Sequence, residues 1–311
     1  MIAEWILYTN AYITLIFIGY KILTFLFPIV YPYFIACTQN LDRLAGGANW
    51  VVITGSTDGI GKAFAFELAE NGFNLVLISR TRSKLEATKN EINEAYPHIE
   101  IKTIAFDFSN PNLADYEEKL FHVVEDLDVG ILVNNVGYVS EYPDVFHKLP
   151  GGTKAILDGL FINTVPVTLL TAAVLPQMVE RKAGIVINVS SAAAYASFAY
   201  WSVYAASKRY VNHLSASLRS EYDTTGITIQ TLCPMRVSTK MSKASESWLS
   251  PSPKTYVKSA LQTVGNIDET TGCLSHQLQV AGFALPHALI APISNRFSER
   301  KKDAALETSE I

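Results

Sequence analysis

Along most of the chain, short apolar runs trade places with stretches whose apolar positions recur every three or four residues. This is how strands buried on both faces alternate with amphipathic helices. Val51 to Thr54 is a β-branched run, Lys62 to Asn71 carries the helical pattern, and Leu75 to Ser79 is a second buried run. Together they predict a βαβ unit. The alternation continues with a helix over Arg82 to Tyr96, a strand over Ile101 to Ala105, a helix over Leu113 to Glu125 and a strand over Ile131 to Val133. Helices near Ile156 to Val179 and Val203 to Tyr222 then alternate with strands at Ile185 to Val189 and Ile227 to Leu232. This order predicts a single α/β domain over 46–275, a doubly wound parallel sheet with helices on both faces.

The two ends follow another pattern. From Trp5 to Ala36 there is one charge, Lys21, and two prolines, Pro28 and Pro32. About 20 apolar residues suffice to span lipid, so residues 1–45 are expected to form a membrane anchor and linker. Trp5, Tyr8, Tyr20, Tyr31 and Tyr33 would sit at the interfaces and Lys21 would snorkel. Two rivals stay open: a cleaved signal peptide, against which the missing basic start and the length of the run both count, and a helical hairpin packed on the domain. Glu4 precedes the run while Lys21 and Arg43 lie toward the domain, an asymmetry that favours a cytosolic domain. Residues 276–311 form an apolar and basic tail. Its run from Ala281 to Ile293, beside Arg296, Arg300, Lys301 and Lys302, either lies at a membrane surface or buries as a helix.

Composition narrows the function classes. Charged residues are 17% of the chain, below the roughly 25% of soluble domains, which fits apolar surface facing lipid. A net charge of −4 without a long basic run argues against a nucleic acid partner. Cys37, Cys233 and Cys273 are odd in number and widely spaced, which suggests a reducing compartment and no disulfide framework. The six histidines never approach ligand spacing, so no metal is expected.

Chemistry enters at the turn after the first strand, Thr54-Gly55-Ser56-Thr57-Asp58-Gly59-Ile60-Gly61. Gly55 permits the turn, Gly59 the close approach of a phosphate and Gly61 the packing of helix on strand. A pyrophosphate then meets backbone N–H groups at a helix start, where the dipole favours negative charge. Gly55, Ser56, Gly59, Ile60 and Gly61 are therefore candidate cofactor-binding residues in a Rossmann-like fold. An acid at the end of the second strand would bind the ribose 2′-hydroxyl of NAD, but Ser79-Arg80 stands there. A hydroxyl and a guanidinium suit the extra phosphate, so the expected cofactor is NADP(H).

Further on, Tyr204 and Lys208 share one helical face at i,i+4 spacing, thirteen residues after Ser191. Reduction of a ketone needs a hydride at carbon and a proton at oxygen, and a free tyrosine near pKa 10 exchanges its proton poorly at neutral pH. A neighbouring ammonium would lower that value. Such a pair taken alone reads as an amphipathic surface pair. It is the resemblance to the short-chain dehydrogenase/reductase family, with Ser191 placed before the pair, that implies Tyr204 as the acid, Lys208 as its cation and Ser191 as the hydroxyl that holds the substrate carbonyl.

The Gly-xxx-Gly-x-Gly spacing, Asn134-Asn135-Val136-Gly137, Ser191 and Tyr204-Ala-Ala-Ser-Lys208 together resemble the short-chain dehydrogenase/reductase family. The resemblance implies an Asn163, Ser191, Tyr204, Lys208 tetrad, with Asn163 in a water-mediated proton relay and Lys208 also on the nicotinamide ribose. It adds Asp107 at the adenine, Asn134 after the fourth strand, and Val237 and Thr239 at the carboxamide. Pro234-Met235-Arg236-Val237-Ser238-Thr239 corresponds to the family's PGxxxT turn, with Met235 where glycine is usual. It also implies a homodimer through the helices carrying Asn163 and Tyr204.

Gly130 to Gly137 followed by Glu141-Tyr-Pro143, and Pro251-Ser-Pro253 followed by Tyr256 to Gly265, narrow the resemblance. They point to the microsomal 17β-hydroxysteroid dehydrogenases that overlap with very-long-chain 3-oxoacyl-CoA reductases, and the last two stretches are expected to cover a substrate-facing loop. The implied substrate is a large lipid-like ketone, acyl-CoA or steroid, with the acyl-CoA slightly favoured. The apolar stretch Ala192 to Trp201 would line its pocket, or pack in the core. The implied site is the endoplasmic reticulum membrane, with the catalytic domain in the cytosol. A catalytically idle NADPH-binding scaffold is the alternative of another class.

Overall fold

The computed structural model describes residues 2–284 and 287–309. The chain begins with one long helix, α1 (Ile2–Val30), which ends in a π-helical turn at Tyr31–Ile35. This unit is long and apolar enough to cross a membrane, and none of its apolar window is covered by the rest of the chain. It is a single projecting helix and not a packed hairpin. Its threonine hydroxyls are satisfied internally: Thr9, Thr14 and Thr24 donate to the carbonyls of Trp5, Asn10 and Lys21, as a span in lipid requires. The foot of the helix is attached to the domain. The Tyr33 and Thr270 hydroxyls hydrogen-bond at 3.0 Å, Asn266 Nδ2 donates to the Cys37 carbonyl at 2.8 Å, and Gln39 Nε2 donates to Asn266 Oδ1 at 3.0 Å.

A short helix, α2 (Leu41–Leu44), capped by the Asn40 side chain, leads into the sheet. Elements then follow as β1 (Trp50–Thr54), α3 (Gly59–Glu70), β2 (Asn74–Ser79), α4 (Arg82–Ala95), β3 (Ile101–Ala105), α5 (Leu113–Tyr116), α6 (His122–Glu125) and β4 (Val129–Asn134). After them come α7 (Gly152–Arg181), β5 (Gly184–Val189), α8 (Ser202–Glu221), β6 (Ile227–Leu232), α9 (Pro253–Gln262), β7 (Glu269–Thr270), α10 (Leu274–Ala281) and α11 (His287–Ser309). Seven strands form one sheet in the order β3-β2-β1-β4-β5-β6-β7, with parallel pairs throughout. The order reverses between β1 and β4, and such a switch point opens a crevice beyond the carboxyl ends of the strands.

Both faces of the sheet are covered because successive strand side chains point to opposite sides. Val51, Ile53, Leu75, Leu77 and Ile131 pack with Phe64 and Leu68 of α3 and with Tyr256 and Val257 of α9. Val52, Val76, Ile78, Leu132 and Val186 pack with Leu170 and Val174 of α7 and with Tyr116 and Leu120. α7 is also long and apolar enough to span a membrane, yet it is a core helix, half covered and set against β4, β5 and α8.

Two departures from the sequence pattern, and the outcome of one reading left open, are instructive. The helix expected over Leu113 to Glu125 is interrupted by a π turn at Glu117–Phe121 between α5 and α6. The stretch Tyr256 to Gly265, expected at a substrate-facing loop, is instead mostly the buried face of α9 against α3. Ser252 caps that helix, its Oγ accepting from Thr255 N, and Pro253 takes the first helical turn, where its missing N–H costs nothing. Finally, α11 docks on the domain: Trp201 Nε1 donates to Ser298 Oγ at 2.9 Å and Lys302 Nζ to Asp144 Oδ1 at 2.8 Å. Part of the run expected at a membrane surface, residues 285 and 286, lies outside the described residues.

Candidate active site

The nucleotide end is built by the turn between β1 and α3. Gly55 and Gly59 adopt left-handed φ values of 65° and 52°, which only glycine takes without strain. A Cβ on Gly61 would collide with the Gly55 carbonyl and the Asn135 amide. The turn therefore leaves a cradle of backbone N–H groups at the start of α3, with Asp58 as its N-cap. Asn135 braces the cradle from behind, its Nδ2 donating to the carbonyls of Thr54 at 2.9 Å and Gly55 at 3.2 Å. Ile60 packs on the core, and the Ser56 hydroxyl is turned inward to the Ile78 carbonyl.

At the end of β2 the Ser79 hydroxyl meets that of Thr57 at 2.9 Å, while Arg80 is exposed and, among the described residues, engaged by no acid. Asp107 accepts from the Ser109 backbone and hydroxyl through Oδ1. Asn134 is buried, its amide donating to Thr171 Oγ1 and to Asn188 Oδ1, so its side chain ties β4 to α7 and β5. A dinucleotide fits this surface: a glycine cradle for pyrophosphate and a free guanidinium one strand away.

The chemical end gathers residues from α7, β5 and α8. Ser191 follows β5 and caps a short 3₁₀ turn at Ala192–Ala194. Its neighbour Ser190 donates to the Lys208 carbonyl at 2.9 Å and to Asn212 Oδ1 at 2.5 Å, which seats α8 against the strand end. Lys208 is buried, donates through Nζ to the Val189 carbonyl at 2.9 Å, and lies 6.0 Å from the centre of the Tyr204 ring. Burial pulls its pKa down to about 8, so at neutral pH it still carries its proton. Tyr204 is held above its ordinary value by burial, against a hydrogen bond with Ser191 that lowers it. The expected lowering by Lys208 is therefore not the governing effect on the phenol here. Among the described residues, Tyr204 and Ser191 are the hydroxyl pair beside a buried ammonium.

Asn163 sits on α7 with its side chain fully engaged. Oδ1 accepts from the Tyr138 backbone N–H at 2.7 Å, and Nδ2 donates to the Tyr138 carbonyl at 2.9 Å and to Ser207 Oγ at 2.9 Å. Only its main chain is left to hold a relay water. Pro166, three residues on, removes the helical donor to the Ile162 carbonyl and loosens α7 at this level.

The loop after β6 carries Val237, which is buried, and Thr239, whose methyl would meet a Cβ on Gly59 at 3.1 Å. This loop thus reaches back over the glycine turn. Met235, standing where the family has glycine, is held by a histidine that sequence reasoning set aside. His276 of α10 is fully buried, accepts from Met235 N through Nδ1 at 3.3 Å and pairs with the Arg236 carbonyl through Nε2 at 3.2 Å. That pair of partners requires a neutral ring protonated on Nε2, and burial lowers its pKa to about 4. No spacing signal pointed to it, because its partners lie 40 residues away and are backbone atoms.

The stretch Ala192 to Trp201 divides between the two readings. Ala192 and Ala194 are buried, whereas Phe198 meets Phe283 edge-on at 5.5 Å and Trp201 meets Tyr204 at 6.3 Å. Tyr200 between them has φ of 70°, a conformation costly for a side-chain-bearing residue and often kept at functional sites.

The sequence profile of the short chain dehydrogenases matches residues 49–250, the span that holds the cradle, the hydroxyl pair and the ammonium. The chain belongs to this family. It is therefore an oxidoreductase. It is 48% identical over 301 residues to the very-long-chain 3-oxooacyl-coA reductase let-767 of Caenorhabditis briggsae, covering 96% of this chain and 95% of that one. It is 42% identical to the mouse very-long-chain 3-oxoacyl-CoA reductase over 78% of this chain and 77% of that one. A Caenorhabditis elegans protein with a provisional steroid dehydrogenase name is 44% identical over 99% of this chain and 98% of that one. Among solved structures, a short-chain dehydrogenase from Sphingobium yanoikuyae in complex with NADPH superposes with a TM-score of 0.61 at 28% identity, covering 68% of this chain and 82% of that one.

Proposed function

We propose that this short-chain dehydrogenase reduces the ketone of a long-chain 3-oxoacyl-CoA to a secondary alcohol with NADPH, as a step of fatty-acid elongation. The observation that carries the reading is the near full-length likeness to a protein of that name, which extends beyond the nucleotide fold to both ends of the chain. The cofactor, when bound, supplies the hydride. The protein's own residues then manage the oxygen: Ser191 donates to the carbonyl and holds it against Tyr204, and the phenol, kept protonated by burial, gives up its proton. Lys208 stabilises the phenolate that remains and is recharged along the main chain of Asn163.

NADPH is chosen over NADH because Arg80 is exposed and without an acidic partner among the described residues where a 2′-phosphate would lie. Arg80→Asp is expected to reverse the preference, and an unchanged ratio of kcat/KM for the two cofactors would move phosphate recognition elsewhere. The substrate is tested by NADPH consumption in membranes holding the protein, offered a 3-oxoacyl-CoA chain-length series beside estrone. Turnover confined to estrone would favour the steroid reading that the provisionally named relative supports.

The anchor, the endoplasmic reticulum and the cytosolic orientation belong to the same reading, since activated acyl groups and NADPH are cytosolic. A homodimer through the outer faces of α7 and α8 is supported by exposed Leu157, Leu160 and Tyr210. Sedimentation in detergent distinguishes it from a monomer.

A further inference from the structure

The mouth of the site carries cations with no acid to face. Arg236 stands on the loop after β6, its guanidinium carbon 5.4 Å from the centre of the Phe297 ring of α11. Lys301, one turn further along α11, places Nζ 5.5 Å from the same ring and 5.4 Å from the Trp201 ring, which in turn contacts Tyr204. Lys243 approaches from the same loop in a left-handed conformation, φ 51°. Burial lowers the pKa of Lys301, and the charges of Arg236 and Lys243 lower it further, so the three share one field.

The nearby acids are otherwise occupied: Glu299 accepts from the Tyr200 hydroxyl and Asp144 from Lys302. Among the described residues no ion pair engages Arg236, Lys243 or Lys301. The Nε of Arg236 is buried without an acceptor. A buried guanidinium N–H left unpaired is costly, and so is a gathering of like charges in a half-covered site. Both costs vanish when an anion with several oxygens enters. Phosphate is the best such anion for a guanidinium fork with ammonium neighbours.

The cofactor's own phosphates have their places at the glycine turn and Arg80, beyond β1 and β2. Arg236 follows β6, three strands over from β1 in this sheet, and its guanidinium lies on the Phe297 ring of α11. The anion here therefore arrives with the substrate. We infer that Arg236, Lys243 and Lys301 form a subsite for the phosphates of coenzyme A, with the acyl arm passing over Trp201 to bring its ketone to Tyr204. This rests on the reading of the chain as a 3-oxoacyl-CoA reductase. A steroid has no group to offer such a subsite.

The test uses the full-length protein in neutral detergent. One 3-oxoacyl chain is supplied as its coenzyme A ester and as its N-acetylcysteamine thioester, which keeps the ketone and lacks every phosphate. Lys301→Gln and Lys243→Gln are expected to raise KM for the coenzyme A ester on the order of tenfold each, with kcat kept and with Lys301→Arg restoring most of the loss. For the truncated thioester KM should stay within about twofold of wild type. In parallel, free coenzyme A binding to the NADP+-loaded protein should weaken by a similar factor in both variants. Equal KM shifts for the two thioesters, or coenzyme A binding unchanged in both variants, would overturn the subsite. Wild-type protein that binds coenzyme A but reduces neither thioester would overturn the functional reading while leaving the subsite standing. Wild-type protein that does neither would overturn both.

Discussion

On the proposed reading Tyr204 is the acid, and its surroundings favour one direction of proton transfer. Burial holds the phenol above its ordinary pKa while the Ser191 hydroxyl touches its oxygen, so the acid is loaded before a ketone arrives. Tyr204→Phe keeps the ring that packs on Trp201 and removes only the proton. Its kcat is expected to fall by about 10² to 10⁴, with NADPH binding, followed by fluorescence, unchanged. Wild-type turnover in that variant would remove Tyr204 from the role of acid. The meeting of Ser191, Tyr204 and Lys208 was readable because a helix face and a strand end impose fixed spacings, while the roles proposed for them came from the family resemblance. The use of Asn163 was less so. Its amide clamps Tyr138 and Ser207, and a side chain's partners across 25 or more residues leave no mark on local sequence. Asn134 illustrates the same limit, since its motif position suggested the nucleotide and its amide spans three core elements.

Among the elements, α10 bears on the site through one buried ring. His276 must stay neutral to accept from Met235 and donate to the Arg236 carbonyl. With a folded pKa near 4 against 6.5 unfolded, the unfolded chain takes up a proton first as pH falls. Stability conferred by the neutral ring is therefore full above about pH 6.5 and lost progressively down to about pH 4, a change of about 3 kcal/mol. His276→Gln should flatten the fall in urea midpoint across that window. A slope identical to wild type would mean that the ring protonates without cost. The strands and helices up to β6 were legible because period-2 and 3.6-residue patterns are strong where both faces of a sheet are covered. β7 was not, being two residues long. The fate of the Pro251 to Gly265 stretch was not either, because a capped amphipathic helix and a family-specific loop marker occupy the same letters.

For the whole molecule, the N-terminal helix and the α/β body make separate demands on solvent. α1 and the π turn after it expose Trp5, Leu15, Ile16 and Phe34, an apolar surface that water would not tolerate. Alkaline carbonate is expected to leave the full-length protein in the membrane pellet, and protease added to sealed microsomes should digest the catalytic domain. Release by carbonate would exclude a spanning helix, and protection from protease would reverse the orientation. The long apolar helix was legible from its length and lack of charge, which are properties of composition. The docking of α11 over the mouth was not, because it depends on Trp201, Ser298, Asp144 and Lys302 meeting across the fold.

What composition reads as a linker after α1 is a pinned joint. Asn266 holds Cys37 and Gln39, and Thr270 on the sheet edge holds Tyr33, so the helix cannot swivel freely on the body it carries. On the proposed reading of α1 as a span, its tilt in a bilayer, which follows hydrocarbon thickness, would be geared directly to the pose of the catalytic body above the headgroups. The full chain should work at different rates in thin and thick bilayers of matched surface charge. Asn266→Ala combined with Thr270→Val, by unpinning the joint at both places, should erase that difference, and a difference that survives it would mean the gearing runs through some other contact.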